Sequence, residues 1–276
     1  MLTHLAGLFS FIYIIFLSFS GWTLGLGLLW LGLCMLSTTG GYHRLFAHRS
    51  YRGSKLLRLF YLLFGAASFQ NSALRWASDH RIHHAHTDEN EDPYNIKRGF
   101  WWAHVGWLFY RNPPSDLVNA RDLQADPLVR FQDRFYLALG IAMGMALPMA
   151  LGALWGDPVG ALLFAGFGRL LVQYHATFSI NSVAHMVGRR PYSTRTSARD
   201  SFVAAIATLG EGYHNYHHRF PSDYRNGIRA WHFDPTKWWV WTLSKLRITW
   251  DLKRVPPEEI RKALLRVADE ATSPAA

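Results

Sequence analysis

Cysteine is almost absent from this chain, which has a single one, Cys34, in 276 residues. One thiol excludes an intrachain disulfide, a zinc site built from several cysteines and an iron–sulfur cluster, so a metal held by this chain would have nitrogen and oxygen ligands. Acidic residues are also few, 19 Asp and Glu against 29 Lys and Arg. The basic excess does not indicate a nucleic-acid-binding protein, because no basic–aromatic motif accompanies it.

Charge is missing from four apolar runs. Residues 5–19, 22–37 and 135–155 carry none, and residues 159–178 carry only Arg169. A helix needs about 20 apolar residues to cross the hydrocarbon of a bilayer. The runs therefore predict two transmembrane hairpins, at about residues 4–38 and 135–180. The alternatives are buried helices of a soluble protein or, for the first run, a signal peptide; the N-terminal "MLTH" lacks the basic start of such a peptide.

The basic residues predict the orientation of these hairpins. All Lys and Arg except Arg169 lie in residues 39–134 and 189–276, and the turns around Ser20–Gly21 and Gly156–Pro158 have none. By the positive-inside rule, the segments 39–134 and 181–276 and both termini are cytoplasmic, where basic side chains can meet anionic headgroups. The sequence thus predicts one domain over residues 1–276, an all-α integral membrane protein with four transmembrane helices and a helical cytoplasmic cap.

Histidine, in contrast, recurs in a pattern. The spacing His-x-x-His-His occurs twice, at His80, His83 and His84 and again at His214, His217 and His218. On a helix these positions lie on one face, so we expect the three imidazoles of each triplet to point into the same space. Neutral imidazole binds Zn, Cu, Fe and Ni near pH 7, which favours metal ligation over three surface histidines.

Three more histidines follow the predicted spans: His43 and His48 after the second, and His185 after the fourth. All nine can therefore meet on one side of the membrane, with His86 as an alternative ligand. A catalytic zinc takes three protein ligands, so nine suit two metals with four or five ligands each. Zinc could be held in this way, but an all-imidazole pair suggests redox iron, with histidine where soluble di-iron bundles use Glu and Glu-x-x-His.

Several longer stretches resemble membrane fatty-acid desaturases of the stearoyl-CoA (Δ9) type. They are "GYHRLFAHRSY", "FQNSALRWASDHRIHH", "EDPYNIKRGFWWAHVGWL", "NSVAHMVG" and "GEGYHNYHHRFPSDYR", in the order of that family, and the resemblance covers about residues 20–255. It implies four transmembrane helices as a stem, a helical cytoplasmic cap, and two iron ions, with O2 as co-substrate.

The resemblance also implies roles for individual residues. The implied iron ligands are His43, His48, His80, His83, His84, His185, His214, His217 and His218, with Asn181 acting through a water. Gln70, Trp76 and Thr177 match residues that line the bend of an acyl tunnel, and Asn71, Arg75, Asp79, Lys97 and Arg98 match residues near the acyl-CoA head group. Phe178 departs from the tryptophan of animal enzymes. No cytochrome b5 is expected in the chain, so the electron donor would be separate: a cytochrome b5-, ferredoxin- or rubredoxin-type protein with a reductase.

The expected function is an O2-dependent desaturase that introduces a cis double bond, at Δ9, into an acyl-CoA. An acyl-lipid desaturase, or a histidine-box hydroxylase or alkane monooxygenase, is the alternative. A membrane metal transporter is more remote, because it would hold its ligands at mid-membrane depth. Glu211 and Asp79 are candidate carboxylates behind the triplets. Gly25, Gly27 and Gly32 line a slot for the acyl tail or only let helices pack closely, and the sequence leaves both open.

Overall fold

The computed structural model describes residues 2–17, 20–110 and 117–272. It is mostly helical and divides into two compact units. The first unit comprises Met1–Phe46, Lys55–Ser78 and Leu117–His175, and the second comprises Ala47–Ser54, Asp79–Asp116 and Ala176–Ala276. Two helices, Ala73–Ala85 and Arg169–Asn181, begin in the first unit and end in the second.

The first unit contains the apolar helices. Its α-helices are Leu2–Ile12, Gly21–Leu36, Lys55–Ala67, Arg121–Gln124, Pro127–Arg134, Tyr136–Ile141, Leu147–Gly152 and Pro158–Ala161. Wider π-helical turns occur at Tyr13–Leu17, Ser37–Ala47, Ala142–Ala146 and Leu162–Gly168, and 3-10 turns at Val118–Ala120 and Ala153–Trp155. The π-helical segment Ser37–Ala47 carries His43, and such wider turns occur frequently at functional sites.

Two helices among the described residues are long and apolar enough to cross a membrane, Gly21–Ala47 and Tyr136–Trp155. They match the second and third predicted runs. Thr3–Leu17 is apolar but shorter. The fourth run carries Arg169, Gln173 and His175, which lower its hydropathy. The prediction of four spans therefore stays a prediction.

The two predicted turns lie side by side. Asp157 caps the helix that begins at Pro158 by accepting from the backbone N–H of Gly160 at 2.9 Å. The same carboxylate accepts from the hydroxyls of Thr23, at 2.6 Å, and Tyr13, at 3.2 Å. Since Tyr13 and Thr23 flank the first predicted turn, one half-buried acidic group joins both turns and is satisfied by their donors.

Arg169 lies buried in the first unit and is satisfied by oxygen atoms. Its guanidinium donates to the carbonyl oxygens of Ala67, at 2.7 Å, and Ala165, at 2.7 Å. Gln173, one helical turn on, donates to Ser68 at 2.9 Å and to Thr38 at 3.3 Å. A buried charged side chain is tolerated in apolar surroundings when backbone carbonyl groups accept its hydrogen bonds.

The apolar helices approach one another at glycines, as at Gly27. A Cβ atom built at Gly27 would lie 2.2 Å from Cδ1 of Phe164, whereas nothing lies within 4 Å of one at Gly25 or Gly32. Gly27 therefore serves close helix packing, which answers the open question for that position.

The second unit holds the remaining elements. Its α-helices are Phe100–His104, Val183–Met186, Phe202–Ala207, His214–Arg219, Pro235–Lys245 and Pro257–Thr272, with 3-10 turns at Ile96–Arg98 and Gly106–Phe109. Strands Arg52–Gly53 and Thr249–Trp250 pair antiparallel, with Arg52 opposite Trp250. This short ladder joins the segment that carries His48 to the C-terminal part of the chain.

Candidate metal centre

Eight of the nine predicted histidines lie in the second unit, where they form two groups. We call His48, His80, His84 and His217 the first histidine group, and His83, His185, His214 and His218 the second histidine group. Within each group the ligand nitrogens all lie within 4.8 Å of one another. The groups draw on four chain segments: the residue that follows Ser37–Ala47, the Ala73–Ala85 helix, the Val183–Met186 helix and the His214–Arg219 helix.

Each triplet is divided between the two groups, contrary to the expectation of one shared space. His80 and His84 belong to the first group and His83 to the second, whereas His214 and His218 belong to the second and His217 to the first. The physical reason is the helical period of about 100° per residue, which turns neighbouring positions i+3 and i+4 towards different sides of one face. Each of the two helices that carry a triplet therefore contributes histidines to both groups.

The inner nitrogens of each group face one another closely. Nε2 of His48 lies 2.8 Å from Nε2 of His80, and Nε2 of His84 lies 3.0 Å from Nε2 of His217. In the second group, Nε2 of His214 lies 3.1 Å from Nε2 of His185 and 3.0 Å from Nε2 of His218.

Hydrogen bonds to the outer nitrogens fix the tautomers of His185 and His218 in the second group. Ser197 donates its hydroxyl proton to Asp88 at 2.6 Å, so its oxygen accepts from Nδ1 of His185 at 2.7 Å. Thr87 donates to the carbonyl of His83, so its oxygen accepts from Nδ1 of His218 at 3.4 Å. With protons on Nδ1, the Nε2 lone pairs of His185 and His218 both face Nε2 of His214 and are available to a metal ion.

Asp92 orients His83, a third member of the second group. Its Oδ1 accepts from Nδ1 of His83 at 2.8 Å and from the backbone N–H of Tyr94 at 3.0 Å, while Oδ2 accepts from the N–H of Asp88 at 3.0 Å. Burial alone would raise the pKa of Asp92, but the hydrogen bond and charge of His83, together with those backbone donors, outweigh it and lower the pKa. Asp92 is therefore an anion behind a ligand candidate.

Burial keeps His185 and His218 neutral. Desolvation, reinforced by the neighbouring His83, lowers the pKa of His185 to about 3. Desolvation and the surrounding histidines also lower the pKa of His218 well below its ordinary value. A neutral imidazole is the form that binds a metal, so the residues present fit two transition-metal ions held by nitrogen.

The other predicted site residues are distributed over both units. His43 lies in the first unit, buried, with its ring 6.1 Å from that of Trp76 in edge-to-face contact. Gln70, Asn71, Arg75 and Trp76 belong to the first unit, and Asp79, Lys97, Arg98, Thr177 and Asn181 to the second. Lys97 and Arg98 are exposed, and the Arg98 guanidinium lies 3.1 Å from the centre of the Trp102 ring.

His86 and Glu211 belong to neither histidine group. His86 lies outside both, with Glu89 and Glu91, and its Nδ1 is 3.2 Å from the Glu89 carboxylate on the surface. Glu211 is buried and accepts from Asn226 at 2.7 Å. Phe178, the departure from the animal tryptophan, is buried against the rings of His104 and Trp107.

Sequence reasoning missed Asp92 and Ser197, which accept from outer nitrogens, and Asp88, which accepts from Ser197. The acidic run "DENED" at residues 88–92, shortly after the first triplet, was the available signal for the two aspartates. Ser197 has no such signal, because its contact with His185 forms only through the fold of residues 186–200.

Comparison with known proteins identifies the family of the chain. The fatty acid desaturase family model matches residues 20–249. A probable acyl-CoA desaturase of Schizosaccharomyces pombe is 44% identical over 84% of this chain and 49% of its own length, and acyl-CoA desaturase 1 of Saccharomyces cerevisiae is 43% identical over 84% and 46%. Human stearoyl-CoA desaturase is 36% identical over 97% of this chain and 76% of its own length. The chain thus spans about half the length of the two fungal relatives, and the resemblance seen in the sequence is confirmed.

Proposed function

The chain belongs to the fatty acid desaturase family, and on that premise we propose that it is an O2-dependent acyl desaturase. It introduces a cis double bond, at Δ9, into a saturated acyl-CoA. One observation carries the proposal: two groups of four buried or half-buried histidines, without a carboxylate among them, converge from four separate segments. Unactivated CH2–CH2 offers no acidic proton, so its dehydrogenation belongs to metal–oxygen chemistry, while the protein binds, orients and excludes water.

The proposed ligands are the two histidine groups and His43, which precedes His48 by five residues and joins the first group. Asn181 acts on the second metal through a water. Two iron ions held in this way would supply the oxidising power, with O2, two electrons from a separate donor and two protons. The two hydrogens of the acyl chain and the two protons leave in two molecules of water. Asp92 and the Ser197–Asp88 pair hold the rings of His83 and His185 in the tautomer that binds metal.

The proposed substrate residues are Gln70, Trp76 and Thr177 along the acyl chain, and Asn71, Arg75, Asp79, Lys97 and Arg98 near the CoA group. The two exposed cations at positions 97 and 98 support the second set, because phosphates are bound by positive side chains. Along the acyl chain every carbon is chemically alike. The position of the double bond must therefore come from a fixed orientation of the chain, which ordered aromatic and amide side chains provide.

We further propose a multi-pass membrane protein of one functional domain, with both termini and the metal centre cytoplasmic. The adjacent turns joined by Asp157 support the two-hairpin topology, since two turns that meet lie on one side of the membrane. The basic segments support the cytoplasmic side for the termini and the metal centre. The electron donor is a separate cytochrome b5-, ferredoxin- or rubredoxin-type protein with its reductase.

The test is expression in cells that lack their own acyl desaturase, followed by mass spectrometry of double-bond positions. Wild-type protein is expected to restore growth without added unsaturated fatty acids and to form Δ9 products. An alcohol product would favour the hydroxylase alternative, and desaturation of lipid-bound but not CoA-bound chains would favour an acyl-lipid enzyme.

A matched pair of variants tests the metal assignment. His84→Ala removes a member of the first histidine group, whereas His86→Ala removes a surface histidine two residues away. We expect purified wild type to contain about two irons per chain, His84→Ala to lose iron and activity, and His86→Ala to keep both. Full activity with zinc, or equal effects of both variants, would contradict the di-iron proposal.

A further inference from the structure

The turn between the Lys55–Ala67 and Ala73–Ala85 helices has an unusual backbone. Phe69 has φ of 50° and Asn71 has φ of 82°, so two non-glycine residues that flank Gln70 adopt the left-handed conformation. That conformation is disfavoured for a residue with a Cβ atom, and for phenylalanine in particular, so neighbouring structure must hold it.

Residues 132–136 hold the second half of this turn. The hydroxyl of Tyr136 accepts from the backbone N–H of Asn71 at 2.9 Å, and Gln132 Oε1 accepts from the N–H of Ala73 at 3.0 Å. Asp133 accepts from the hydroxyl of Ser72 and lies 3.5 Å from Nε of Arg75. These contacts take up donors at the first turn of the Ala73–Ala85 helix, which that helix cannot satisfy itself.

The part of the turn that precedes Gln70 is held by other residues of the first unit. Arg169 donates to the carbonyl of Ala67, and the Tyr174 hydroxyl donates to that of Phe69 at 3.3 Å. The Phe69 ring packs on glycines: a Cβ atom built at Gly140 or Gly144 would lie 3.0 Å or 2.9 Å from it. The turn is thus over-determined by residues far away in the sequence.

We propose that Tyr136 and Asp133 are positioning residues that set where along the acyl chain the double bond forms. The inference rests on the proposed function. Fixing the turn fixes Gln70 and the start of the helix that carries Trp76 and, further along, His80, His83 and His84. Neither Tyr136 nor Asp133 touches the reacting carbons. They act through the backbone at Asn71 and through Ser72 and Arg75.

The experiment uses the full chain in membranes with stearoyl-CoA and compares Tyr136→Phe and Asp133→Asn with Tyr13→Phe. The control also removes a tyrosine hydroxyl that makes one hydrogen bond in the first unit, to Asp157. For Tyr136→Phe we expect the share of products with a displaced double bond to rise about three- to tenfold, as one lost hydrogen bond predicts. Asp133→Asn keeps an oxygen that accepts from Ser72 but loses the charge beside Arg75, so we expect a smaller rise in the same direction. The control should keep the wild-type distribution.

A merely structural role would lower the yield and leave the distribution of double-bond positions unchanged, and that result in both variants would overturn the inference. If Tyr136→Phe does not fold, Asp133→Asn alone decides between the two outcomes, since the Asp133 side chain is 26% exposed and asparagine has nearly the same shape. Wild-type protein without any unsaturated product would instead refute the proposed function and the inference with it.

Discussion

Replacing Asp92 by Asn should weaken the metal centre without unfolding the protein. The Asp92 carboxylate receives three N–H donors, from His83, Asp88 and Tyr94, at 2.8 to 3.0 Å. An asparagine in the same place has one oxygen and one NH2 group. Whichever way the amide is turned, the NH2 group faces at least one of these donors, and the negative charge behind His83 is lost.

The magnitude follows from the burial of this pair. The side chains of His83 and Asp92 are 3% and 1% exposed, so water cannot replace the lost acceptor. An unsatisfied buried donor costs about 1–3 kcal/mol, and loss of a carboxylate behind a ligating histidine typically lowers metal affinity about 10- to 100-fold. We therefore expect Asp92→Asn to weaken iron binding by about 10- to 100-fold.

The assay is anaerobic titration of metal-free protein with Fe(II) against a competing chelator, with helix content followed by circular dichroism. Glu89→Gln is the matched control, because it removes an exposed carboxylate–histidine contact on the same loop, 3.2 Å from His86. A folded Asp92→Asn protein that binds iron as tightly as wild type would refute the role of Asp92 in orienting His83.

Two further predictions concern the membrane helices. Gly27→Ala should lower the free energy of unfolding in detergent by about 1–3 kcal/mol, because its Cβ atom would overlap the Phe164 ring. Gly32→Ala should change it little, since nothing lies within 4 Å of the added atom, and equal melting temperatures for the two would contradict the packing role of Gly27. For topology, cysteines at the exposed positions Trp22 and Leu154 should react with an impermeant maleimide from the outer side, and one at Glu91 only after permeabilisation. Outer-side labelling at position 91 would refute the proposed orientation.

Much of the centre could be predicted because metal ligation constrains residue type strongly. Two triplets, a pair and a single histidine at the ends of apolar runs identified eight residues that the fold brings into two groups. Local spacing also located the helices that carry them, since His-x-x-His-His is a helical pattern. The acyl-binding residues came only from the family resemblance, because glutamine, tryptophan and threonine have no spacing that marks them for such a role.

The division of ligands between the groups could not be read from the sequence. Positions i+3 and i+4 diverge by about 100° around a helix, so a triplet can serve one centre or two. Which of these occurs depends on where the other helix lies. The contacts that hold the turn at Phe69 and Asn71 could not be predicted from the sequence either. Gln132, Asp133 and Tyr136 reach this turn only through contacts between residues some 60 positions apart.

The sequence by itself determined the chemistry available to this protein: nitrogen ligands without thiols, apolar runs that separate basic segments, and a family identity carried by five motifs. These are properties of residue type and local spacing, which the chain has before it folds. Tertiary structure alone decided the pairing of His80 and His84 with His217, the placement of Asp92 and Ser197 behind the ligands, and the packing of Gly27 against Phe164. Each of these depends on distances between segments far apart in the chain, and only the packing of buried side chains sets such distances.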